Sequence, residues 1–339
     1  MNFTEKDVKA AIERGKNVHD FIQKSAKIWV IAISIYVVAS VILMISGFGG
    51  IKFVLISAAV DLLLLYFLPF LISVSTLLNK NVRMQSTVRE FYDSWRYSRK
   101  YRNHQFIGIE AMDSFGKRDW VRYIDSLLAG EKNRYNRCTL LGAKRAYLDI
   151  SCRFDEAESV FQEIEATAPG HLRNRILFKK MSHYCSCGRD ADFISLYEKN
   201  QREIGKLYDG NLSEVNLGLV FSSLYEMKKG NFEKATELRQ MSIEVSYEDK
   251  KISSWLKKYP NYVLIGEIEA YIDLAECYAK LGNTEQAAAG LELIDSKIDE
   301  LTCELPDIYA REAAKLHNLI DSVPESSKDS GNISAAENV

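Results

Sequence analysis

Residues 271–294 read YIDLAECYAKLGNTEQAAAGLELI. Tyr271, Leu274, Ala275 and Tyr278 recur at spacings of three and four, which places them on one stripe of a helix. Gly282-Asn283 then breaks the pattern where a helix should stop and the chain should turn. Ala287, Leu291 and Ile294 form the inward stripe of a second helix. The segment predicts two antiparallel helices joined by a tight turn. From about residue 85 to 320 the same texture continues, with scarce proline and no alternating runs that would mark strands. Gly130, Gly188, Gly210, Gly230 and Gly282 fall where turns belong, so the expected fold class is all-α.

Two further segments repeat the pattern. AYLDISCRFDEAESVFQEIEATAP, residues 146–169, offers Phe154, Ala157, Phe161 and a closing Pro169, and LYEMKKGNFEKATELRQM, residues 224–241, offers Gly230, Phe232 and Ala235. YCSCGRDADFISLYEKN around Gly188 is a degenerate candidate. On these residues the chain resembles tetratricopeptide repeats over roughly 140–305. The anchor alanines 157, 235 and 287 lie 78 and 52 residues apart, not multiples of the family's roughly 34. The units therefore carry insertions or are degenerate, and a generic helical bundle or another α-solenoid stays open. The resemblance implies a right-handed superhelix of helix pairs whose first helices line a concave, partner-binding face. In register with the 271–294 unit that face would present Glu269, Ile272, Glu276 and Lys280, and from the 224–241 unit Leu217, Val220, Leu224 and Met227. The Lys, Asn and Arg set with which some members clamp a C-terminal carboxylate is not found, so the expected ligand is a helix, loop or protein surface.

The N-terminal quarter reads differently. IWVIAISIYVVASVILMI, residues 28–45, is free of charge and as a helix spans about 27 Å, close to a hydrocarbon core. A Gly-rich link follows, and then a second apolar run, 53–78, interrupted only by Asp61 and Pro69. A transmembrane helical hairpin (28–46 and 53–78) is expected. A cleaved signal peptide fits poorly, because 27 mostly polar residues precede the first run. Six Lys/Arg before the hairpin and seven within 79–102, against Lys52 alone in the link, put both termini on the cytoplasmic side. The expected localisation is a cell membrane, crossed twice. The six cysteines, Cys138, Cys152, Cys185, Cys187, Cys277 and Cys303, all fall in the cytoplasmic part, where thiols stay reduced. Folding the hairpin about its link sets Asp61 level with Tyr36. An intramembrane carboxylate can fix helix packing or a homo-oligomer contact, or can relay protons.

Residues 1–27 predict an amphipathic helix with Val8, Ala11, Ile12, Val18, Phe21 and Ile22 on one stripe, capped by Thr4 and Asp7, lying on the inner leaflet or packed on the main domain. Residues 79–106 mix Arg83, Arg89, Arg96, Arg99, Lys100 and Arg102 with aromatic rings. Beside a membrane this composition attracts anionic lipid headgroups, about 1 kcal/mol per cation, and nucleic acid is not the expected partner. Residues 107–320 form the helical domain, and 321–339, rich in Ser, Asn and Gly, are expected to be disordered.

The averages hide this layout. The net charge of −2 sums a segment 79–145 at +8 and a segment 146–339 at −12, and the mean hydropathy of −0.17 averages the apolar runs with a polar remainder. His183-Tyr184-Cys185-Ser186-Cys187 invites a metal reading, but on a helix Cys185 points away from the other two and no second ligand pair follows. There is no phosphate-binding loop, dinucleotide fingerprint, nucleophile elbow or HExxH. The expectation is a non-enzymatic membrane adaptor without cofactor or metal, holding a cytosolic or membrane protein partner. The alternative is an oligomeric membrane effector or pore whose hairpin is regulated by the cytosolic domain.

Overall fold

The computed structural model describes residues 4–46, 56, 59–60, 62–63, 106–168, 173–252 and 256–321. Two compact units divide the chain, one of residues 1–8 and 103–339 and the other of residues 9–102. Among the described residues there is helix and turn but no strand.

In the larger unit the helices are α2 (Ile107–Asp113), α3 (Trp120–Gly130), α4 (Arg134–Ile150), α5 (Phe154–Thr167), α6 (Arg173–Ser186), α7 (Asp190–Lys199) and α8 (Gln201–Leu207). After these come α9 (Leu212–Lys228), α10 (Phe232–Ile252), a single 3-10 turn (Leu256–Lys258), α11 (Pro260–Lys280), α12 (Thr284–Asp299) and α13 (Asp307–Asp321). The helix called α1 (Glu5–Ile45) precedes them in sequence.

Four turns set the architecture. Cys152, Gly188, Gly230 and Gly282 take φ of 54°, 72°, 82° and 78°, and a new helix begins two residues after each. The next residue donates its N–H five residues back, Arg153 to Leu148 (2.9 Å), Arg189 to Tyr184 (2.8 Å), Asn231 to Glu226 (2.9 Å) and Asn283 to Tyr278 (2.9 Å). This is the six-to-one bond of the Schellman motif, which satisfies a helix-end carbonyl and needs a left-handed residue, normally glycine, to close. Five residues past each turn stands a side chain with no exposed surface: Ala157, Phe193, Ala235 and Ala287. The turns therefore mark four equivalent helix pairs, α4/α5, α6/α7, α9/α10 and α11/α12. Their separations of 36, 42 and 52 residues reflect the short helix α8 and the 3-10 turn inserted between pairs.

The pairs approach closely because small residues face one another. An added Cβ on Gly290 of α12 would come within 2.9 Å of Ala275 Cβ on α11. Between pairs the filling is large: Met181, Phe193, Tyr197 and Phe221 form one core, with Leu217 and Leu224 packed on it. Fully burying one such side chain is worth about 1.5–3 kcal/mol.

The array also closes on itself. An open solenoid contacts only its sequence neighbours, but here α2 packs on both α4 and α11, and α13 packs on α4 and α11. Phe115, Ile150 and Ile308 meet in a core that takes in Tyr147, Cys152, Cys303 and Tyr309. Asn261, at the start of α11, donates to the Asp113 carbonyl (2.7 Å) and to Thr302 Oγ1 (2.9 Å), and the Tyr262 N–H donates to Asp113 Oδ1 (2.9 Å). The described fold of this unit is an all-α, solenoid-like stack whose first and last helices both pack on α4 and α11.

α1 changes the expected N-terminal layout. The helix begins at a Thr4–Asp7 cap, in which Asp7 Oδ2 accepts from the Thr4 N–H (2.9 Å), and runs unbroken through Gly15 and residue 27. The backbone does not break between the polar segment and the apolar one. At about 1.5 Å per residue its 41 residues reach about 61 Å. Val8, Ala11 and Ile12 are buried, as their stripe predicts, while the side chains of Val18, Phe21 and Ile22 lie outside those described.

Among the described residues no helix is long and apolar enough to cross a membrane, so the hairpin over 28–46 and 53–78 is not supported. Most of its second run, Asp61 included, lies outside the described residues, and in the first run the side chains are described without a break only as far as Leu43. What is described there is apolar and open: Ile28 is 66% exposed, Ile35 65% and Ile42 60%. Only the stripe Trp29, Ile33, Val37 and Ser40 is drawn in.

Candidate functional site

α11 separates two chemistries onto two faces. Ile268, Ile272, Ala275 and their neighbours pack against Leu291 and Ile294 of α12 and Ala313 and Leu316 of α13. On the other face Glu269, Asp273 and Glu276 follow at intervals of four and three, one above the next. Asp273 meets Arg239 of α10 at 2.7 Å, with the arginine 3% and the carboxylate 15% exposed. Glu269 accepts from the Tyr309 hydroxyl of α13 at 3.1 Å. Lys228, at the end of α9, pairs with Asp190 at the start of α7 at 3.1 Å. Cys185 of α6 lies in the field of Lys228, Asp273, Asp190 and Glu269. Helices far apart in sequence thus contribute to one recessed polar surface.

Its electrostatics are strained toward excess negative charge. Burial pushes Asp273 up to about 6; Arg239 opposes this, while Glu269 and Glu276 add to it. Burial also raises Glu276, despite Lys228 and Lys280 nearby, and no lysine or arginine lies within ion-pair distance of it among the described residues. Tyr309 is raised well above 10 by burial and by the adjacent Glu269, so it stays a hydroxyl donor. Burial keeps the Cys185 thiol protonated. The chemistry on offer is hydrogen bonding and charge.

The residues expected to line a partner groove fall on different faces. Glu269 and Glu276 face this recess, and Lys280 is exposed at the end of α11. Ile272 is a core residue at 5% exposure. Leu217 and Leu224 pack into the core between helix pairs, Met227 packs with Ala235 and Cys277, and Val220 is half-buried. Placing the register on apolar positions selected the packing stripe of α9 instead of its open face. Asp273, Arg239, Lys228, Cys185 and Tyr309 went unnoticed. The one available signal was the spacing of Glu269, Asp273 and Glu276.

A second polar centre joins α4, α5 and α6. His183 Nδ1 stands 2.7 Å from Asp149 Oδ1, and Nε2 stands 2.9 Å from Glu158 Oε2. Arg145 donates to Asp149 Oδ2 at 2.7 Å and to the Lys179 carbonyl at 3.0 Å. His183, read from sequence beside Cys185 and Cys187, is thus held by carboxylates. Among the described residues no group of His, Cys, Asp and Glu is arranged to hold a metal. The six cysteines are all free thiols. Tyr36 is 38% exposed on α1; its pairing with Asp61, and Arg83, Arg89, Arg96, Arg99, Lys100 and Arg102, lie outside the described residues, as do 322–339.

No family model, curated protein or solved structure matches this chain.

Proposed function

We propose that this chain is a membrane-anchored adaptor whose helical unit, built like degenerate tetratricopeptide repeats, holds a protein partner against the recess lined by α6, α9, α11 and α13. The observation that carries the reading is the polar face of α11, where Glu269 and Glu276 have no cation partner among the described residues, in a surface to which several helices contribute. Unneutralised carboxylates in a recess favour a ligand that brings donors or positive charge. Membrane attachment is supported by α1, whose apolar side chains are open over more than half of its circumference between Ile28 and Ile45. Hydrocarbon would cover that surface, and the covered stripe Trp29, Ile33, Val37 and Ser40 would suit a neighbouring helix. Anionic headgroups would meet the basic residues 83–102, and a second copy of the chain could share the apolar surface.

The test is site-specific photo-crosslinking in the full chain in native membranes, with the probe at position 280. The expected result is one dominant protein adduct that Glu269→Lys together with Glu276→Lys reduces at least tenfold, with membrane retention unchanged. Diffuse adducts, or a dominant adduct indifferent to the double change, would refute the reading.

A further inference from the structure

The hydrogen bonds of His183 settle its charge by donor counting. Both ring nitrogens face carboxylate oxygens, at 2.7 Å and 2.9 Å, yet a neutral imidazole carries one N–H and one lone pair. Only the imidazolium can donate to both. The ring is 1% and Asp149 4% exposed, so a lone pair turned on Asp149 would have no water to mediate it. The two carboxylates come from different helices, Asp149 from α4 and Glu158 from α5, so the charged ring ties both to α6.

The surrounding charges keep this arrangement near balance. From α4, Arg145 takes the other oxygen of Asp149. From the residue before α7, Arg189 reaches Glu158 at 3.4 Å while pairing with Asp192. From α5, the Phe161 ring stacks parallel to the imidazole at 6.3 Å. On α6 itself, Lys180 pairs with Glu165 and lies over Phe161 and Tyr184, and just past its end the Cys187 thiol, raised by burial, is uncharged. Loss of the His183 proton would leave Asp149 with Arg145 and Glu158 with the longer contact to Arg189.

We propose that His183 is a proton-operated clamp: charged, it locks α4, α5 and α6 together, and neutral, it releases α6 from Glu158. α6 also carries Cys185 at the recess, so the clamp fixes the position of one wall of that surface. This inference goes beyond the adaptor reading and does not depend on it.

The direction of pH dependence follows from the partners. Burial and Arg145 oppose the imidazolium, but Asp149 and Glu158 outweigh them and hold His183 above its ordinary 6.5. A group raised on folding stabilises fully below its unfolded value and loses that contribution as pH rises through its folded value. The clamp is therefore closed at and below the ordinary imidazole value of 6.5 and opens as pH rises through the raised folded value.

The experiment uses the full chain in detergent micelles, combining imidazole nitrogen NMR with hydrogen exchange from pH 6 to 9. The expected result is a His183 still mostly protonated at pH 6.5. Exchange protection of α6, corrected for the intrinsic rate, falls above its titration point, by up to about tenfold for each pH unit by which that point exceeds 6.5. α12, remote from the clamp, shows no such fall. Glu158→Gln, at a part-exposed position that tolerates the change, lowers the His183 titration and flattens the α6 profile. A His183 neutral at pH 6.5, equal pH dependence in α6 and α12, or an unchanged profile in Glu158→Gln would each overturn the proposal.

Discussion

The same substitution, glycine to alanine, is expected to act with opposite signs at Gly230 and Gly266, and the reason lies wholly in the backbone. Nothing stands within 4 Å of where a Cβ would be added at either site, so sterics with neighbours drop out of the comparison. Gly230 has φ of 82°, a region that costs an L-residue about 1–2 kcal/mol. Alanine also loses less chain entropy on folding than glycine, about 0.4–1 kcal/mol in its favour. The balance is a net loss of about 1 kcal/mol for Gly230→Ala. Gly266 sits inside α11, where alanine is better than glycine by about 0.5–1 kcal/mol. Gly266→Ala therefore stabilises. Gly188→Ala and Gly282→Ala, at φ of 72° and 78° with equally open surroundings, are expected to match Gly230→Ala. Urea unfolding of the full chain in detergent, followed by circular dichroism, reads all four midpoints. A neutral or stabilising Gly230→Ala, or a Gly266→Ala as damaging as the turn variants, would refute the assignment of equivalent Schellman turns.

Gly290→Ala, also helical, should destabilise by about 1–3 kcal/mol, because its Cβ would strike Ala275 Cβ at 2.9 Å; a gain in unfolding midpoint would contradict the packing of α12 on α11. Ser222 bridges the buried hydroxyls of Tyr197 (2.8 Å) and Tyr208 (2.6 Å), so Ser222→Ala removes a shared partner and is expected to cost about 1–3 kcal/mol, measured by the same melt. Asp273 has a folded pKa of about 6 against 3.8 unfolded. Between those values the native state binds the extra proton, so this site's contribution to stability falls as pH rises. Asp273→Asn should flatten unfolding free energy between pH 4 and 6, and an unaltered slope would show that Asp273 does not titrate there.

The helix pairs were legible because their turns obey local rules. Gly282-Asn283 and Gly230-Asn231 announce themselves in sequence, since a left-handed residue followed by a capping side chain is local chemistry. Cys152 was not legible as a turn residue. It takes the glycine position at φ of 54°, packed with Ile150 and with the distant Phe115 and Ile308. The closure of the array was hidden for the same reason: Asn261 on Asp113 and Thr302 depends on segments up to about 150 residues apart. In the recess, Glu269 and Glu276 came from an analogy of register, whereas Leu217, Leu224 and Ile272 turned inward because apolar residues select the buried face. His183 was conspicuous beside two cysteines, but its partners Asp149 and Glu158 lie on other helices.

The adaptor account rests on the apolar half of α1 being held in a bilayer. Alkaline carbonate extraction of membranes from cells producing the full chain tests this directly, because it strips surface-bound proteins and leaves embedded ones. The account predicts that the chain stays with the membrane pellet and that Ile31→Lys combined with Ile35→Lys releases it. Recovery of the unaltered chain in the carbonate supernatant would contradict it.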